Sequence, residues 1–372
     1  MTVRLTLLVD SPSRRAHGNA ASRLALGLAQ TGKVEPTLLC YSADPPPPWL
    51  PHEVGVDRLG ASRVSRALPR IVSYLCNKQP DVLITRQVHA NFFGLAAAIL
   101  ARARSGWAGK LILVQDHPVL LSHAANWRDN KWLAKVSYRY ADGIISPSPS
   151  VREDIIDWCG LEPESVAVVP NPIPSFVGLE ASPPHPWLAA GQPPVFVHTS
   201  NMTPWKRLDL LIDAFADLQR RHDVRLIIVG EGAGRRAASE RIRELGLEAS
   251  AQTVGWVEDP LQYAARACAF VLPSDEEGFA QVLTEAMSAG CPVISADSQG
   301  GGPRYVTQDG RYGIIVPCND LAKLIESMEM MLSPEIRARY SELGRQRAEE
   351  LSPAASANAL IDFCTTYLGM KL

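Results

Sequence analysis

The chain contains two series of alternating strand-like and helix-like segments. Short runs rich in Val, Ile and Leu alternate with amphipathic segments of helical length from residue 4 to residue 169, and again from residue 195 to residue 369. Between the two series, residues 170–195 hold eight prolines and show no hydrophobic periodicity. Such alternation is typical of parallel sheets covered by helices on both faces. We therefore predict two doubly wound, Rossmann-like α/β domains joined by a proline-rich linker.

The predicted domain boundaries follow this pattern. The first domain covers residues 1–172, the linker covers 173–194, and the second domain covers 195–351. A last helical segment, 352–372, is a candidate to pack back on the first domain. Ligands of doubly wound sheets bind beyond the carboxyl ends of the strands, so a cleft faced by both domains is the expected binding site.

Composition excludes several classes of protein. Hydrophobic residues make up 46% and charged residues 20% of the chain, which is enough for full cores and argues against global disorder. No apolar run approaches the roughly 20 residues that cross a bilayer, and Met1 leads into a strand-like segment rather than a secretory signal. The seven scattered cysteines form no C-x2-C pair, and no H-E-x-x-H or D-x-D motif is present. We expect reduced thiols, a cytoplasmic location, no metal site and no cofactor.

The charge is distributed unevenly along the chain. Residues 1–170 hold 19 basic and 14 acidic side chains, whereas residues 171–372 hold 18 and 25. A basic first half is suited to an anionic acceptor or to peripheral contact with anionic lipid on the inner face of a membrane. The excess is modest and is not interleaved with aromatic residues, so nucleic acid is not an expected partner.

Two carboxylates eight positions apart form the most informative motif. Glu277 and Glu285 follow the strand-like segment 269–272, and a helix is predicted to begin near Phe279. A carboxylate can accept both hydroxyls of a vicinal diol, and the backbone amides at a helix start can face a diphosphate. The alternative is a solvated helix that carries two surface glutamates.

Three further motifs lie at predicted strand ends. Lys206 and Arg207 precede a helix, where cations oppose the macrodipole, so either an anion lies between them or they form a solvated basic turn. The run V-G-E-G-A-G-R at 229–235 lacks the G-x-G-x-x-G spacing and either makes a tight turn or allows a phosphate to approach. His117 follows segment 110–116 and is either a ligand-facing or a structural histidine.

The motifs occur in a characteristic order. They are S-N-M-T-P-W-K-R-L-D-L-L-I from Ser200, V-G-E-G, G-W-V-E-D-P, P-S-D-E-E-G-F, the E-x7-E pair, G-G-P-R and Y-G-I-I-V-P, preceded by V-P-N-P-I from Val169. Together they resemble glycosyltransferase family 4, whose members have the two-domain GT-B fold. The resemblance covers nearly the whole chain.

The resemblance implies retaining transfer of a hexose or N-acetylhexosamine from a nucleoside-diphosphate sugar, with UDP as the expected nucleotide and no metal. It assigns Glu285 to the ribose, Glu277 to the donor sugar and Lys206 to the diphosphate. His117 would contact the sugar near the reacting carbon, and Gly18 would let the first loop approach the phosphates. The remaining implied donor contacts are Asn201, Arg207, Gly230, Glu231, Gly232, Val257, Gly278, Phe279, Ala280, Gln281 and Val282. The chain departs from the family pattern in three ways: Asn201 replaces a usual Arg, whose charge Arg207 could supply, Ala280 replaces Gly or Pro, and the first loop has one glycine, Gly18, where relatives often have two.

The acceptor is expected to be a glycan, a lipid-linked sugar or a small-molecule hydroxyl, in the manner of bacterial glycan-assembly enzymes. Segment 57–79 is basic and amphipathic, which indicates either an interfacial helix or a core-facing helix with a solvated basic face, kinked or restarted at Pro69. Two other functions remain open: a GT-B sugar-nucleotide epimerase, and a non-catalytic sugar-nucleotide-binding subunit of a glycan-assembly complex.

Overall fold

The computed structural model describes residues 2–12, 15–119, 127–174, 176 and 178–371. The chain divides into two compact units. The first unit comprises Met1–Pro172 and Leu351–Leu372, and the second comprises Ile173–Glu350. Residues 173–194, which the sequence marks as a linker, therefore group with the second unit.

Within the described residues the chain forms thirteen strands and thirteen α-helices. The strands are β1 (Val3–Val9), β2 (Val34–Cys40), β3 (Gly55–Arg58), β4 (Val82–Arg86), β5 (Lys110–Val114), β6 (Gly143–Ser146), β7 (Val166–Val168), β8 (Val195–Thr199), β9 (Arg225–Val229), β10 (Ala251–Val254), β11 (Ala269–Leu272), β12 (Val293–Ala296) and β13 (Ile314–Val316). The helices are α1 (Arg15–Gln30), α2 (Val64–Lys78), α3 (Val88–Ser105), α4 (Trp127–Tyr138), α5 (Pro149–Cys159), α6 (Leu208–Gln219), α7 (Arg235–Glu244), α8 (Leu261–Ala264), α9 (Gln281–Ser288), α10 (Gly302–Thr307), α11 (Leu321–Met330), α12 (Pro334–Glu350) and α13 (Pro353–Thr366).

The first unit is built on a seven-stranded parallel sheet in the order β3-β2-β1-β4-β5-β6-β7. The order reverses between β1 and β4, which is the arrangement of a doubly wound sheet. One face of the sheet packs against α2, α3, α4 and α5, and the other packs against α1 and α13. Burial on both faces explains why these strands read as continuous apolar runs.

The last helix belongs to the first unit. Helix α13 begins at Pro353 after Ser352, whose side chain accepts a hydrogen bond from the amide of Ala355. It packs against α1, and Gly27 permits the close approach, because a Cβ there would lie 2.1 Å from the carbonyl oxygen of Pro353.

Helix α2 directs its apolar side chains into the core. Val64, Ile71, Val72 and Leu75 are buried, so these side chains are not available to lipid. Pro69 lies inside an unbroken helix of 15 residues and does not restart it. Segment 57–79 therefore corresponds to the core-facing alternative, with its basic side chains in solvent.

The second unit contains a six-stranded parallel sheet in the order β10-β9-β8-β11-β12-β13. It is also doubly wound, and its order reverses between β8 and β11. The prediction of two parallel-sheet α/β domains is thus confirmed. Sequence alternation missed the edge strand β3 and the short helix α10.

The seven cysteines are all unpaired, and five are buried. Burial raises the pKa of the Cys40 thiol to about 12 and that of the Cys268 thiol to about 11, so both stay protonated at neutral pH. Among the described residues, no helix combines the length and the apolar character that a membrane crossing needs.

Candidate functional site

The site in the second unit lies where the strand order reverses. Strands β8 and β11 are parallel neighbours, with Phe196 opposite Ala269, so the loops that follow them leave the same edge of the sheet. These loops are residues 200–207 and 273–280. In open α/β sheets, ligands bind in the crevice formed at this point.

An ion pair joins the two loops. The Nζ of Lys206 lies 2.5 Å from Oε1 of Glu277, and the two side chains are only 13% and 9% exposed. The backbone reinforces this contact, because the amide of Asp275 donates to the carbonyl of Trp205 at 2.8 Å. The two residues assigned to the diphosphate and the sugar are therefore brought together.

Glu277 is also held on its other side. Its amide donates to the carbonyl of Gln299 at 2.9 Å, and its carbonyl accepts from the amide of Gly302 at 3.0 Å. Gly302 is needed for this approach, since a Cβ there would lie 2.7 Å from the nitrogen of Phe279. The loop that carries Glu277 is thus fixed by backbone contacts to the segment after β12.

Arg207 is already paired with carboxylates. It adopts the left-handed backbone conformation (φ 50°, ψ 48°) just before α6. Its guanidinium bonds Asp209 at 2.9 Å and Asp275 at 3.3 Å, and the Asp209 side chain is more exposed than that of Arg207. Burial raises the pKa of the Asp209 carboxyl, but the hydrogen-bonded Arg207 guanidinium outweighs this effect and holds the pKa below its usual value. Arg207 is therefore compensated by two carboxylates, as Lys206 is by Glu277.

A buried histidine beneath the site was not singled out from the sequence. His198 is fully buried in β8; its Nδ1 lies 2.8 Å from the carbonyl of Val271 and its Nε2 lies 2.8 Å from Oγ of Ser200. Burial lowers the pKa of His198 to about 4, so the ring is neutral. Nδ1 must then donate to Val271 and Nε2 must accept from Ser200, whose Oγ accepts the amide of Met202 at 3.1 Å.

This chain of hydrogen bonds ties the end of β8 to the end of β11. The sequence signals the role of His198 only by placing a histidine inside the apolar run V-F-V-H-T. Hydrophobic periodicity alone cannot distinguish this histidine from an ordinary strand residue. Asp275, inside P-S-D-E-E-G-F, was missed for a similar reason, because three acids in succession hide which one faces a partner.

The helix after Glu277 begins later than expected. Helix α9 starts at Gln281, and Ala280 before it has φ 59° and ψ 52°. Phe279 and Ala280 are buried, and the Phe279 ring lies 6.2 Å from the Tyr305 ring. The helix start therefore presents the amides of Gln281 and Val282 rather than that of Phe279. Glu285 lies one turn into α9, where Gln281 Nε2 lies 3.1 Å from its Oε1.

The glycine turn after β9 makes room for the protein's own backbone. A Cβ at Gly230 would lie 1.9 Å from the carbonyl oxygen of Ser200, and one at Gly232 would lie 1.9 Å from that of Asn201. Both glycines have positive φ, 131° and 152°. The tight-turn alternative accounts for both positions. Glu231 is exposed and pairs with Arg235.

The other assigned donor positions have varied surroundings. Asn201 is exposed, and its Oδ1 accepts from the Thr203 hydroxyl at 3.4 Å. Val257 is half-buried after β10, and Gly278 is buried beside Glu277. The roles of all these residues toward a donor remain predictions.

Gly18 and His117 lie in the first unit. Gly18 is buried in α1, and a Cβ there would lie 2.0 Å from the carbonyl oxygen of Ser11. Ser13 and Arg14 of the same loop, and the side chain of His17, lie outside the described residues. His117 is exposed after β5, and its carbonyl accepts from Gln115 Nε2 at 2.5 Å.

A buried polar cluster holds the residue that precedes His117. Arg86, at the end of β4, donates through Nε to Asp116 at 2.8 Å and through Nη2 to Asn171 at 2.6 Å. All three side chains are at least nine-tenths buried. The backbone at His117 is therefore fixed by neighbours on both β4 and the segment after β7, a role that the sequence did not indicate.

Metal-ligand geometry is not found in the described part of the chain, where no group of three or more His, Cys, Asp or Glu side chains converges. The described site offers the ammonium of Lys206, its partner carboxylate on Glu277, a second carboxylate on Glu285 and the backbone amides at the start of α9.

Two family models match the chain. Residues 184–347 match the model described as glycosyl transferases group 1, and residues 18–175 match that of glycosyltransferase family 4. The N-acetylgalactosamine-N,N'-diacetylbacillosaminyl-diphospho-undecaprenol 4-alpha-N-acetylgalactosaminyltransferase of Campylobacter jejuni is 27% identical over 222 residues, which are 59% of this chain and 59% of that protein. The lipopolysaccharide 1,6-galactosyltransferase of Salmonella typhimurium is 28% identical over 207 residues, 54% of this chain and 55% of that protein. The match thus spans less than two thirds of these relatives.

Solved structures match over almost the full length. Anabaena Alr3699/HepE, in complex with UDP and glucose, has a TM-score of 0.79 at 18% identity and covers 98% of this chain and 100% of its own. Sucrose-phosphate synthase from Thermosynechococcus elongatus has a TM-score of 0.79 at 19% identity and covers 99% of both chains. At sequence identities this low, the structural similarity establishes only the fold. The two family matches and the paired parallel sheets show that this chain belongs to the family 4 type of GT-B glycosyltransferases.

Proposed function

We propose that the protein transfers a sugar from a nucleoside-diphosphate donor to a glycan or lipid-linked acceptor, and that the second unit binds the donor. One observation carries this proposal: the largely buried pair of Lys206 and Glu277 lies at the point where the strand order of the sheet reverses. A cation and a carboxylate at that point match the two ends of a sugar diphosphate.

Each group has a distinct task in this proposal. Lys206 neutralises the charge that develops on the diphosphate as it leaves, which is the kind of electrostatic stabilisation that contributes most to catalysis. Glu277 accepts hydroxyls of the donor sugar, and Glu285, one turn into α9, accepts those of the ribose. The amides of Gln281 and Val282 are available to phosphate oxygens.

The donor must displace an existing contact. In the absence of donor, Lys206 and Glu277 neutralise each other, so neither charge is left buried alone. A sugar diphosphate offers an anion to the lysine and hydroxyls to the glutamate, and so replaces both halves of the pair. A ligand that has only one of these ends leaves the other residue uncompensated.

UDP is the proposed nucleotide, and a hexose or N-acetylhexosamine the proposed sugar. Support comes from the Anabaena structure, which holds UDP and glucose, and from the C. jejuni relative, whose name specifies N-acetylgalactosamine. We further propose a retaining, front-face reaction in which the leaving diphosphate takes the acceptor proton, so that no covalent enzyme intermediate forms.

Metal independence is part of the same proposal. Lys206 already supplies the positive charge that a divalent cation would bring to the leaving group. The expected result is full transfer activity in EDTA. Activity that is lost in EDTA and restored by Mg²⁺ or Mn²⁺ would refute this part.

The proposed acceptor is a membrane-lipid-linked or lipopolysaccharide-type glycan, and we propose that the reaction takes place on the cytoplasmic side of a membrane. The names of the relatives in C. jejuni and S. typhimurium support this class. Among the first unit's residues, His117 is the proposed contact to the sugar that is transferred.

The test combines binding with product analysis. A thermal-shift panel of UDP-, GDP-, ADP- and dTDP-sugars should show the largest rise in Tm with one UDP-sugar. NMR of the products then separates the alternatives: an epimerase converts the donor without an acceptor, and a non-catalytic subunit leaves the donor intact. Absence of stabilisation by every sugar nucleotide would overturn the proposal.

A further inference from the structure

Helix α12 contains one buried arginine. The helix is polar along most of its length, and its other three arginines are half-buried or exposed. Arg347 is only 5% exposed, although arginine side chains are almost never buried without partners. A buried guanidinium costs free energy unless its charge and its N–H groups are compensated. The partners of Arg347 therefore indicate what this side chain holds in place.

All three nitrogens of the Arg347 guanidinium have an acceptor. Nε donates to the carbonyl of Val306 at 3.0 Å, and Nη2 donates to that of Tyr305 at 2.8 Å. Nη1 donates to the Glu350 carboxylate at 2.6 Å, which also accepts from the hydroxyl of Tyr312 at 3.0 Å. The guanidinium carbon lies 5.4 Å and 5.7 Å from the centres of the Tyr305 and Tyr312 rings. Together these contacts fix the orientation of the guanidinium.

The two backbone carbonyls belong to the last turn of α10. Carbonyls at the end of a helix lack regular helical partners, and a cation there also complements the negative end of the helix dipole. Arg347 therefore caps the carboxyl end of this six-residue helix. A helix this short has little stability of its own, so the position of α10 depends on such contacts with the rest of the fold.

The opposite end of α10 contacts the loop that carries Glu277. Gly302, the first residue of the helix, donates its amide to the carbonyl of Glu277 at 3.0 Å. Val306 follows Gly302 by four residues, which is about 6 Å along a helix axis. The side chains make a parallel contact, since the Tyr305 ring lies 6.2 Å from the Phe279 ring. Arg347 and the glutamate loop thus hold the two ends of one short helix.

We propose that Arg347 is a positioning residue for the donor sugar. By holding α10, it keeps the backbone of Glu277 at the place where the carboxylate meets the ammonium of Lys206. Arg347 is buried and acts only through the helix, so it is not itself a donor contact. The inference rests on the proposed function, because it takes Glu277 as the residue that accepts the hydroxyls of the sugar.

A role in stability alone would have different consequences. Loss of the guanidinium lowers Tm in either case, because the Glu350 carboxylate and the α10 carbonyls lose a partner. A purely structural residue would leave the ratio of the affinities for UDP and UDP-glucose unchanged. A residue that positions Glu277 would change the affinity for UDP-glucose more than that for UDP, which has no hexose.

The test is isothermal titration of UDP and UDP-glucose into wild type and Arg347→Met. Methionine keeps an apolar stem and removes the guanidinium. We expect the affinity for UDP-glucose to fall roughly tenfold, whereas UDP binds at least as tightly as in wild type. Arg347→Lys keeps a cation beside the carbonyls but has no planar fork, so it should recover part of the loss. It also provides the comparison if the methionine variant does not fold.

Hydrogen–deuterium exchange without ligand is an independent measurement. The amides of Glu277 and Gly302 are both hydrogen-bonded, to the carbonyls of Gln299 and Glu277. In the Arg347 variants these two amides should exchange faster, by roughly tenfold in Arg347→Met, while those of β8 stay protected. Arg339→Met is the matched control, because Arg339 is exposed on the same helix. It should behave like wild type in both measurements.

The outcomes separate this inference from the proposed function. Unchanged exchange at the two amides in a folded Arg347 variant would overturn the inference. An equal loss of affinity for UDP and UDP-glucose, or the same changes in Arg339→Met, would also overturn it. Failure of the proposed function would instead appear in the wild type, which would bind neither UDP nor UDP-glucose whatever the exchange rates of the variants.

Discussion

The ammonium of Lys206 and the carboxylate of Glu277 lie 2.5 Å apart, although 71 residues separate them in the chain. They meet because β8 and β11 are parallel neighbours whose following loops leave one edge of the sheet. Both side chains are largely buried, where an unpaired charge would be costly, and each neutralises the charge of the other.

Because Lys206 pairs with Glu277, we expect Glu277→Gln to affect UDP binding and sugar transfer differently. Glutamine keeps the shape and can still bond sugar hydroxyls, but it no longer competes with a diphosphate for Lys206. We expect UDP to bind the variant at least as tightly as wild type, whereas transfer falls by roughly tenfold, because a neutral amide bonds the sugar hydroxyls less strongly than a carboxylate does. Isothermal titration with UDP and a transfer assay measure the two effects. Weaker UDP binding by the variant would show that the pair does not compete with the nucleotide.

His198 predicts a pH dependence of stability. The ring has a pKa of about 4 in the fold against 6.5 when exposed, so the unfolded chain binds more protons between these values. Its contribution to the free energy of unfolding is complete above pH 6.5 and falls by up to about 3 kcal/mol as the pH drops to 4.

Denaturant unfolding of the full chain at several pH values measures this slope. His198→Gln, which retains hydrogen-bonding groups but does not titrate, should be less stable at pH 7 and should lose less stability on acidification. An identical pH slope in the two proteins would exclude His198 as the source.

The glycine turn after β9 predicts a contrast between two alanine substitutions. Gly232→Ala would place a methyl group 1.9 Å from the carbonyl oxygen of Asn201, at φ 152°. Gly246 also has positive φ (67°), but nothing lies within 4 Å of its Cβ position. We expect Gly246→Ala to cost about 1–2 kcal/mol, which is the left-handed penalty alone. Gly232→Ala should cost clearly more, and equal losses would show that the turn can move away.

Ala280 occupies a backbone conformation that favours glycine. Its φ of 59° and ψ of 52° are left-handed, at the start of α9. Ala280→Gly should therefore raise the free energy of unfolding by up to about 1 kcal/mol. Ala286→Gly, inside α9, should lower it by at least about 1 kcal/mol. Thermal unfolding compares the two, and destabilisation by Ala280→Gly would contradict the strain at this position.

Hydrophobic alternation predicts the central strands well because buried parallel strands read as continuous apolar runs. Strand β3 escapes this signal, since Gly55–Arg58 lies at the sheet edge and contains no fully buried side chain. Hydrophobic alternation does not predict helix α10, because the sequence Gly301-Gly302-Pro303 is typical of a loop. In the fold this segment packs against Glu277 and Phe279, which are distant in sequence.

The candidate site is predicted from sequence only in part. The order of the motifs predicts that Lys206 and Glu277 both bind the donor, but only the structure shows that their side chains form an ion pair. Arg207 illustrates the limit: its sequence position does not indicate that its guanidinium pairs with Asp209 and Asp275. Partners that come from distant loops, such as Val271 for His198, leave no local pattern in the sequence.

The most direct test of the account is titration of UDP into wild type and Lys206→Met. Methionine keeps the length and apolar stem of the side chain and removes its charge. Lys323→Met is the matched control, because Lys323 is 57% exposed on α11 and pairs with its helix neighbour Glu326. We predict that Lys206→Met binds UDP at least tenfold more weakly, whereas Lys323→Met binds like wild type. Unchanged UDP affinity in a folded Lys206→Met variant would contradict the assignment of this site to the donor.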